Sequence, residues 1–112
     1  MMSDKEFIID PDNIKDVIKP MGYSIVTNLI SQDGHQVGFM YREEQFDEED
    51  SGWRFLSGTE SEEYLDVPEN SKAFSVNAIA NHDPAIIPYL HNKPGTAWER
   101  IEGTDKFSLY EE

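Results

Sequence analysis

No cysteine occurs in the 112 residues, and that absence removes disulfides, thiolate nucleophiles and thiolate metal sites together. It fits the reducing cytoplasm better than a small secreted protein. Basic residues are scarce: nine Lys and Arg stand against 23 Asp and Glu, for a formal net charge of -14. Phosphate backbones are held by clustered Lys and Arg that displace counterions, so nucleic acid is not an expected partner. No apolar run approaches the roughly 20 residues that span a bilayer. The opening residues, Met1-Met2-Ser3-Asp4-Lys5-Glu6, carry no basic leader region. Neither export nor a membrane partner is expected.

Catalytic and phosphate-binding signatures are missing as well. There is no G-x-S-x-G elbow, no G-x-G-x-x-G turn and no Walker pattern. His35, His82 and His91 have no zinc-ligand spacing. His82 next to Asp83 makes no relay, because adjacent side chains point apart in a strand and do not face each other on a helix. The run from Asp47 to Gly58 resembles a calcium loop at its first six positions. It then places Phe55 at position nine and Gly58 at position twelve, where a bidentate carboxylate is needed. With 23 acids in the chain, some carboxylate pair always lies at glycosidase-like separation, so pairs alone carry no evidence of acid-base chemistry. The expectation is a protein without cofactor or metal that works by binding rather than as an enzyme.

What is present suffices for one folded domain spanning 1–112. Hydrophobic residues make up 38% and aromatics 12%, well above disordered acidic chains. Residues 10–19 read as a short helix with Ile14, Val17 and Ile18 on one face, stopped by Pro20 and Gly22. Residues 23–30 and 37–42, separated by Gln32-Asp33-Gly34, read as a β-hairpin. Residues 50–58 should begin as exposed loop and enter a strand at Trp53, with Trp53 and Phe55 on one buried face. A helical turn fits 60–67. Residues 73–81 suit strand or helix equally. Asp83-Pro84 has the form of a helix start, whose regularity Pro88 limits. Residues 96–101 and 106–110 close the chain as a second hairpin. The sum is α+β, a mostly antiparallel sheet with short helices packed on one side.

Charge is unevenly spread. Residues 43–69 hold eleven acids against one base, Arg54, and so carry -10 of the -14. Glu43, Glu44, Asp47, Glu48, Glu49, Asp50, Glu62 and Glu63, with Phe46 and Tyr64 as aromatic anchors, are the candidate partner-binding residues. The acids would steer a basic partner and the aromatics would hold it. An acidic run that only keeps the chain soluble is the competing reading.

Several blocks carry a resemblance: Val37-Gly-Phe-Met-Tyr-Arg-Glu-Glu44, Asp50-Ser-Gly-Trp-Arg-Phe-Leu-Ser-Gly58, Glu63-Tyr-Leu-Asp66, Asn77-Ala-Ile-Ala-Asn81, Asp83-Pro84 and Ile87-Pro88-Tyr-Leu90. Together, over about 21–102, the chain resembles the immunity protein 33-like family, with an N-terminal helix and a C-terminal strand added. The resemblance implies a bacterial cytoplasmic protein that binds and neutralises a cognate toxin, a basic toxin domain among the candidates, and it brings no assigned site residues. Two other classes stay open: a regulatory or ligand-sensing domain with a small-molecule pocket near Tyr89 and Trp98, and an enzyme with strongly perturbed titratable groups in a cleft.

Overall fold

The Trp53-Arg-Phe segment lies in the central strand of the sheet, and the rest of the fold is arranged around it. A computed structural model describes residues 7–111. In chain order the elements are β1 (Tyr23–Thr27), α1 (Asn28–Ser31), β2 (Phe39–Arg42), β3 (Asp50–Leu56), α2 (Glu62–Leu65), β4 (Ser71–Ser75), α3 (Val76–His82), β5 (Ala97–Arg100) and β6 (Phe107–Leu109), with 3-10 turns at Pro11–Asn13, Pro68–Asn70 and Pro84–Tyr89. They form one compact α+β domain on a six-stranded sheet of order β4-β1-β3-β2-β5-β6. Only the β1/β3 pair is parallel.

Alternation sorts the side chains of this sheet onto two faces. On the inner face Val26, Met40, Trp53 and Phe55 are fully buried, against Ile30 of α1, Val76 and Ile79 of α3, and Ile86 of the last 3-10 turn. Trp53 and Phe55 lie parallel with centroids 6.0 Å apart, and the indole N–H donates to the Leu90 carbonyl at 3.2 Å, so the ring is both packed and satisfied. On the outer face Ile25, Phe39, Tyr41 and Leu56 stay half-exposed.

The hairpin expected from 23–30 and 37–42 does not form. β3 lies between β1 and β2, and the chain leaves the sheet at Thr27 into α1. Asp33-Gly34 serves as a helix stop instead: the Gly34 N–H returns to the Ile30 carbonyl at 3.1 Å and the His35 N–H to Leu29 at 3.0 Å. An Asp-Gly pair serves a tight hairpin or a helix C-terminus equally well, because both need positive φ. The ambiguous 73–81 stretch is both structures in succession, β4 and then α3, with the Ser75 hydroxyl capping the helix through the Ala78 N–H.

The helix expected over 10–19 is a second correction. Asp10 does cap a turn, but only Pro11–Asn13 is helical, and in 3-10 form. Beyond it the backbone is captured by two side chains one helical turn apart on α3. The Asn81 amide oxygen accepts from the Lys15 N–H at 2.9 Å, and the Asn77 oxygen accepts from Val17 at 2.9 Å. Both amide nitrogens donate to the Lys15 carbonyl at 2.7 Å. Ile14 and Ile18 are thereby laid against the core without a helix.

Candidate partner-binding face

The acidic loop is more ordered than its composition suggests, and Asp50 is the reason. Expected in an exposed loop, Asp50 is instead the first residue of β3 and is buried. Its carboxylate takes a bidentate pair from Arg54 at 3.0 and 2.8 Å, plus the backbone N–H groups of Phe46 and Gly52, each at 2.8 Å. In a regular strand, residues four apart lie about 13 Å from each other. A bulge shortens the path: Tyr23 pairs with Asp50 while Ile25, two residues on, pairs with Arg54. Gly52 supplies that bulge at φ +86°, where an added Cβ would lie 2.2 Å from the Glu43 carbonyl oxygen. The Arg54 guanidinium, helped by those two N–H groups and opposed by burial, holds the Asp50 carboxyl far below the usual carboxylate range. Asp50 is thus an anchor of the loop and is not presented to a partner.

Arg54 also donates from Nε to Glu43 at 2.8 Å. Asp47 accepts from the Tyr23 hydroxyl at 3.1 Å and from the Glu49 N–H at 2.9 Å. On this frame Glu43, Glu44, Asp47, Glu48 and Glu49 are exposed, and Phe46 projects with 85% of its surface in solvent.

The other candidates are elsewhere. β1 and β3 run parallel from the acidic loop to the opposite end of the sheet, where Thr27 donates its hydroxyl to Glu60. Glu62, Glu63 and Tyr64 belong to that far end, on the four-residue α2 capped by Ser61. Glu62 and Glu63 are exposed in its first turn, where acids complement the backbone N–H groups, and Tyr64 is half-buried. Glu60 is occupied structurally: burial pushes its carboxyl up, but donors from Thr27, Ser57 and Gly58 outweigh that and leave it lowered. The structure therefore divides the ten candidates between two ends of the sheet.

Between those ends the outer face of β2 and β5 holds two neighbouring clefts. One, of about 470 Å³, is lined by Phe39, Tyr41, Ala97 and Tyr110 with Glu43 and Glu44 at its edge. The second, about 660 Å³, runs past Leu56 to Glu60, Glu99 and Glu102. Phe39 and Tyr110, edge to face with centroids 5.3 Å apart, border both. Sequence reasoning passed over these residues. A signal existed in Val37-Gly-Phe-Met-Tyr, whose apolar residues fall on both faces of one short strand.

Tyr89 and Trp98, near which the alternative reading places a small-molecule pocket, are packed against their neighbours. Their rings pack 5.5 Å apart, Tyr89 meets Phe107 at 5.2 Å, and the Tyr89 hydroxyl accepts from the Phe107 N–H at 3.0 Å. Asp83 is similarly occupied, bound by Arg100 and by the Val37 N–H at 2.9 Å, while His82 contacts the His35 carbonyl at 2.8 Å. Among the described residues no group of His, Asp and Glu is arranged to hold a metal ion.

The family model for the immunity protein Imm33 domain matches residues 24–110. The chain belongs to this family. The match takes in all six strands except the first residue of β1, and therefore the acidic loop, both clefts and α2. The strap of residues 7–23 lies outside the Imm33 match although it completes the core through Phe7, Ile14 and Ile18. No curated protein and no solved structure shows significant similarity to the chain. Among the described residues no helix is long and apolar enough to cross a membrane.

Proposed function

We propose that this Imm33 protein is a non-enzymatic immunity factor of the bacterial cytoplasm that neutralises a cognate toxin by binding a basic surface of it. The observation that carries this reading, beyond family membership, is the acidic loop 43–49. It is wired to the sheet through Asp50 and Arg54, yet it turns its remaining carboxylates and the Phe46 ring outward. A preorganised loop loses little entropy on docking, and clustered charge raises the association rate, so order together with charge fits a binder better than a solubility device. A basic protein, and not a phosphate backbone, is the complement of such a surface.

The test is association kinetics with the partner captured and identified from the native cell. Reversing Glu44, Glu48 and Glu49 to Lys should slow association about tenfold or more at low salt and flatten its salt dependence. Glu43 is left in place because it is bonded to Arg54. Replacing Phe46 by Ala should act on dissociation instead. Unchanged association in the triple reversal would leave the loop as a solubility device.

A further inference from the structure

The outer sheet face offers a recognition site that the acidic loop alone does not explain. Tyr41 and Ala97 are direct cross-strand neighbours, and Phe39, two residues from Tyr41, faces the same way. No buried residue of the core cluster comes from this side of β2: Met40 points inward and is fully buried, while Phe39 and Tyr41 are half-exposed and Tyr110 is 43% exposed. Aromatics left partly wet beside an apolar cleft of about 470 Å³ form a seat for one large side chain. Glu43 and Glu44 lie at its mouth, and the Arg54 bond fixes the orientation of Glu43. The charge of Arg54 is offset by Asp50 and Glu43 together, and the Arg42 guanidinium is turned inward onto the Ser51 and Asn92 carbonyls, so the mouth is left negative.

We propose that this cleft receives an aromatic or long aliphatic side chain of the protein partner, with a Lys or Arg beside it in the partner's sequence pairing with Glu43 and Glu44. The proposal rests on the reading of the chain as a protein-binding immunity factor and names its docking site and the chemistry recognised there. Charge decides against the other occupants. A second copy would bring the same carboxylates face to face, in a chain of net charge -14. A lone small molecule would occupy one cleft and leave unused the second that adjoins it across the Phe39–Tyr110 pair, lined by Leu56, Glu99, Arg100 and Glu102. Successive side chains of a polypeptide crossing the face would meet both.

Three synthetic peptides test the chemistry with the intact protein: capped Lys-Trp-Lys-Lys, Lys-Ala-Lys-Lys and Glu-Trp-Glu-Glu, followed by backbone amide shifts at fixed ionic strength. The Lys-Trp peptide should move the amides of Phe39, Tyr41, Ala97 and Tyr110 and bind about tenfold more tightly than the Lys-Ala peptide. Ala97→Trp, which fills the cleft, should abolish that difference. Tyr110→Ala, at an exposed position, should weaken it if the first variant folds poorly. Equal binding of the two basic peptides, or shifts confined to residues 43–49, would reduce the site to acidic attraction and overturn the proposal. So would benzyltrimethylammonium binding as tightly as the Lys-Trp peptide, or a dimer in sedimentation velocity that Ala97→Trp dissociates. A captured, identified toxin bound equally by wild type and Ala97→Trp sinks the cleft while leaving the immunity reading intact. Peptide discrimination without any toxin neutralisation sinks the immunity reading and leaves the cleft chemistry standing.

Discussion

The inner and outer faces of the sheet are made by the same strands and the same two-residue alternation, yet they end in different surroundings. Inside, Val26, Met40, Trp53 and Phe55 reach zero exposure against α1, α3 and the Pro84–Tyr89 turn. Outside, Phe39, Tyr41, Leu56 and Tyr110 are of similar apolar character and stay partly wet. The apolar content of a strand therefore does not distinguish the covered face from the uncovered one in this chain. What distinguishes them is whether another element covers the face. Asp50 and Arg54 sit on the boundary, a polar pair buried on the outer side that fixes where the sheet ends and the loop begins.

The comparison is broken most severely from the inner side. Trp53→Ala should cost about 3 to 5 kcal/mol in urea unfolding, since it removes a fully buried indole and takes from the Leu90 carbonyl the closer of its two donors, leaving the longer bond from Arg42. A loss under 1 kcal/mol would mean that the inner face is not the core.

The boundary comes next. Asp50→Asn should cost on the order of 3 kcal/mol near neutral pH, because Arg54 keeps its charge in a half-buried site without its main partner. A carboxyl held low in the folded state stabilises the fold fully above its unfolded value, about pH 4, and that stabilisation disappears as pH falls through the folded value. Wild type should accordingly lose stability on acidification below about pH 4, and its advantage over Asp50→Asn should shrink there. Urea unfolding of both proteins at several acid pH values checks this, and a gap that stays constant would remove Asp50 as the anchor.

Changes on the outer face should be small for the fold. Tyr110→Ala is expected to shift stability by about 1 kcal/mol or less, since nearly half of the ring already meets water. Smallest of all is the bulk electrostatic effect: raising salt from low to moderate concentration should stabilise the protein by a few tenths of a kcal/mol, as screening relaxes repulsion among the acids. A thermal midpoint that fell with added salt would show that attraction within the acidic loop outweighs its repulsion.

Legibility from sequence followed the range of the interactions. The closing hairpin, the α2 turn, the Asp83 cap and the burial of Trp53 rest on neighbours close in the chain or on simple alternation, and all were readable. The strand order was not, because inserting β3 between β1 and β2 depends on α1 lifting the chain off the sheet, and Asp33-Gly34 reads the same whether it ends a helix or turns a hairpin. Residues 10–19 showed helical spacing but were claimed by Asn77 and Asn81, some 60 positions later. For the candidate face, the exposed acids of the loop were legible from composition. The burial of Asp50 was hidden by a bulge that only the paired strand reveals, and the clefts needed β2, β5 and Tyr110 to be brought together.

The clasp of Asn77 and Asn81 reads only the main chain of the strap it holds. Its donors and acceptors meet the N–H groups of Lys15, Val17 and Ile18 and the C=O of Lys15, and no side chain of the strap takes part in those bonds. Such a fastening is indifferent to spelling: charge, size and polarity at 15 and 16 are free to drift while the hold persists. A residue that deletes a gripped N–H, proline at 15, 17 or 18, loosens it. A segment outside the family's shared region can thereby vary in sequence and still close the same core.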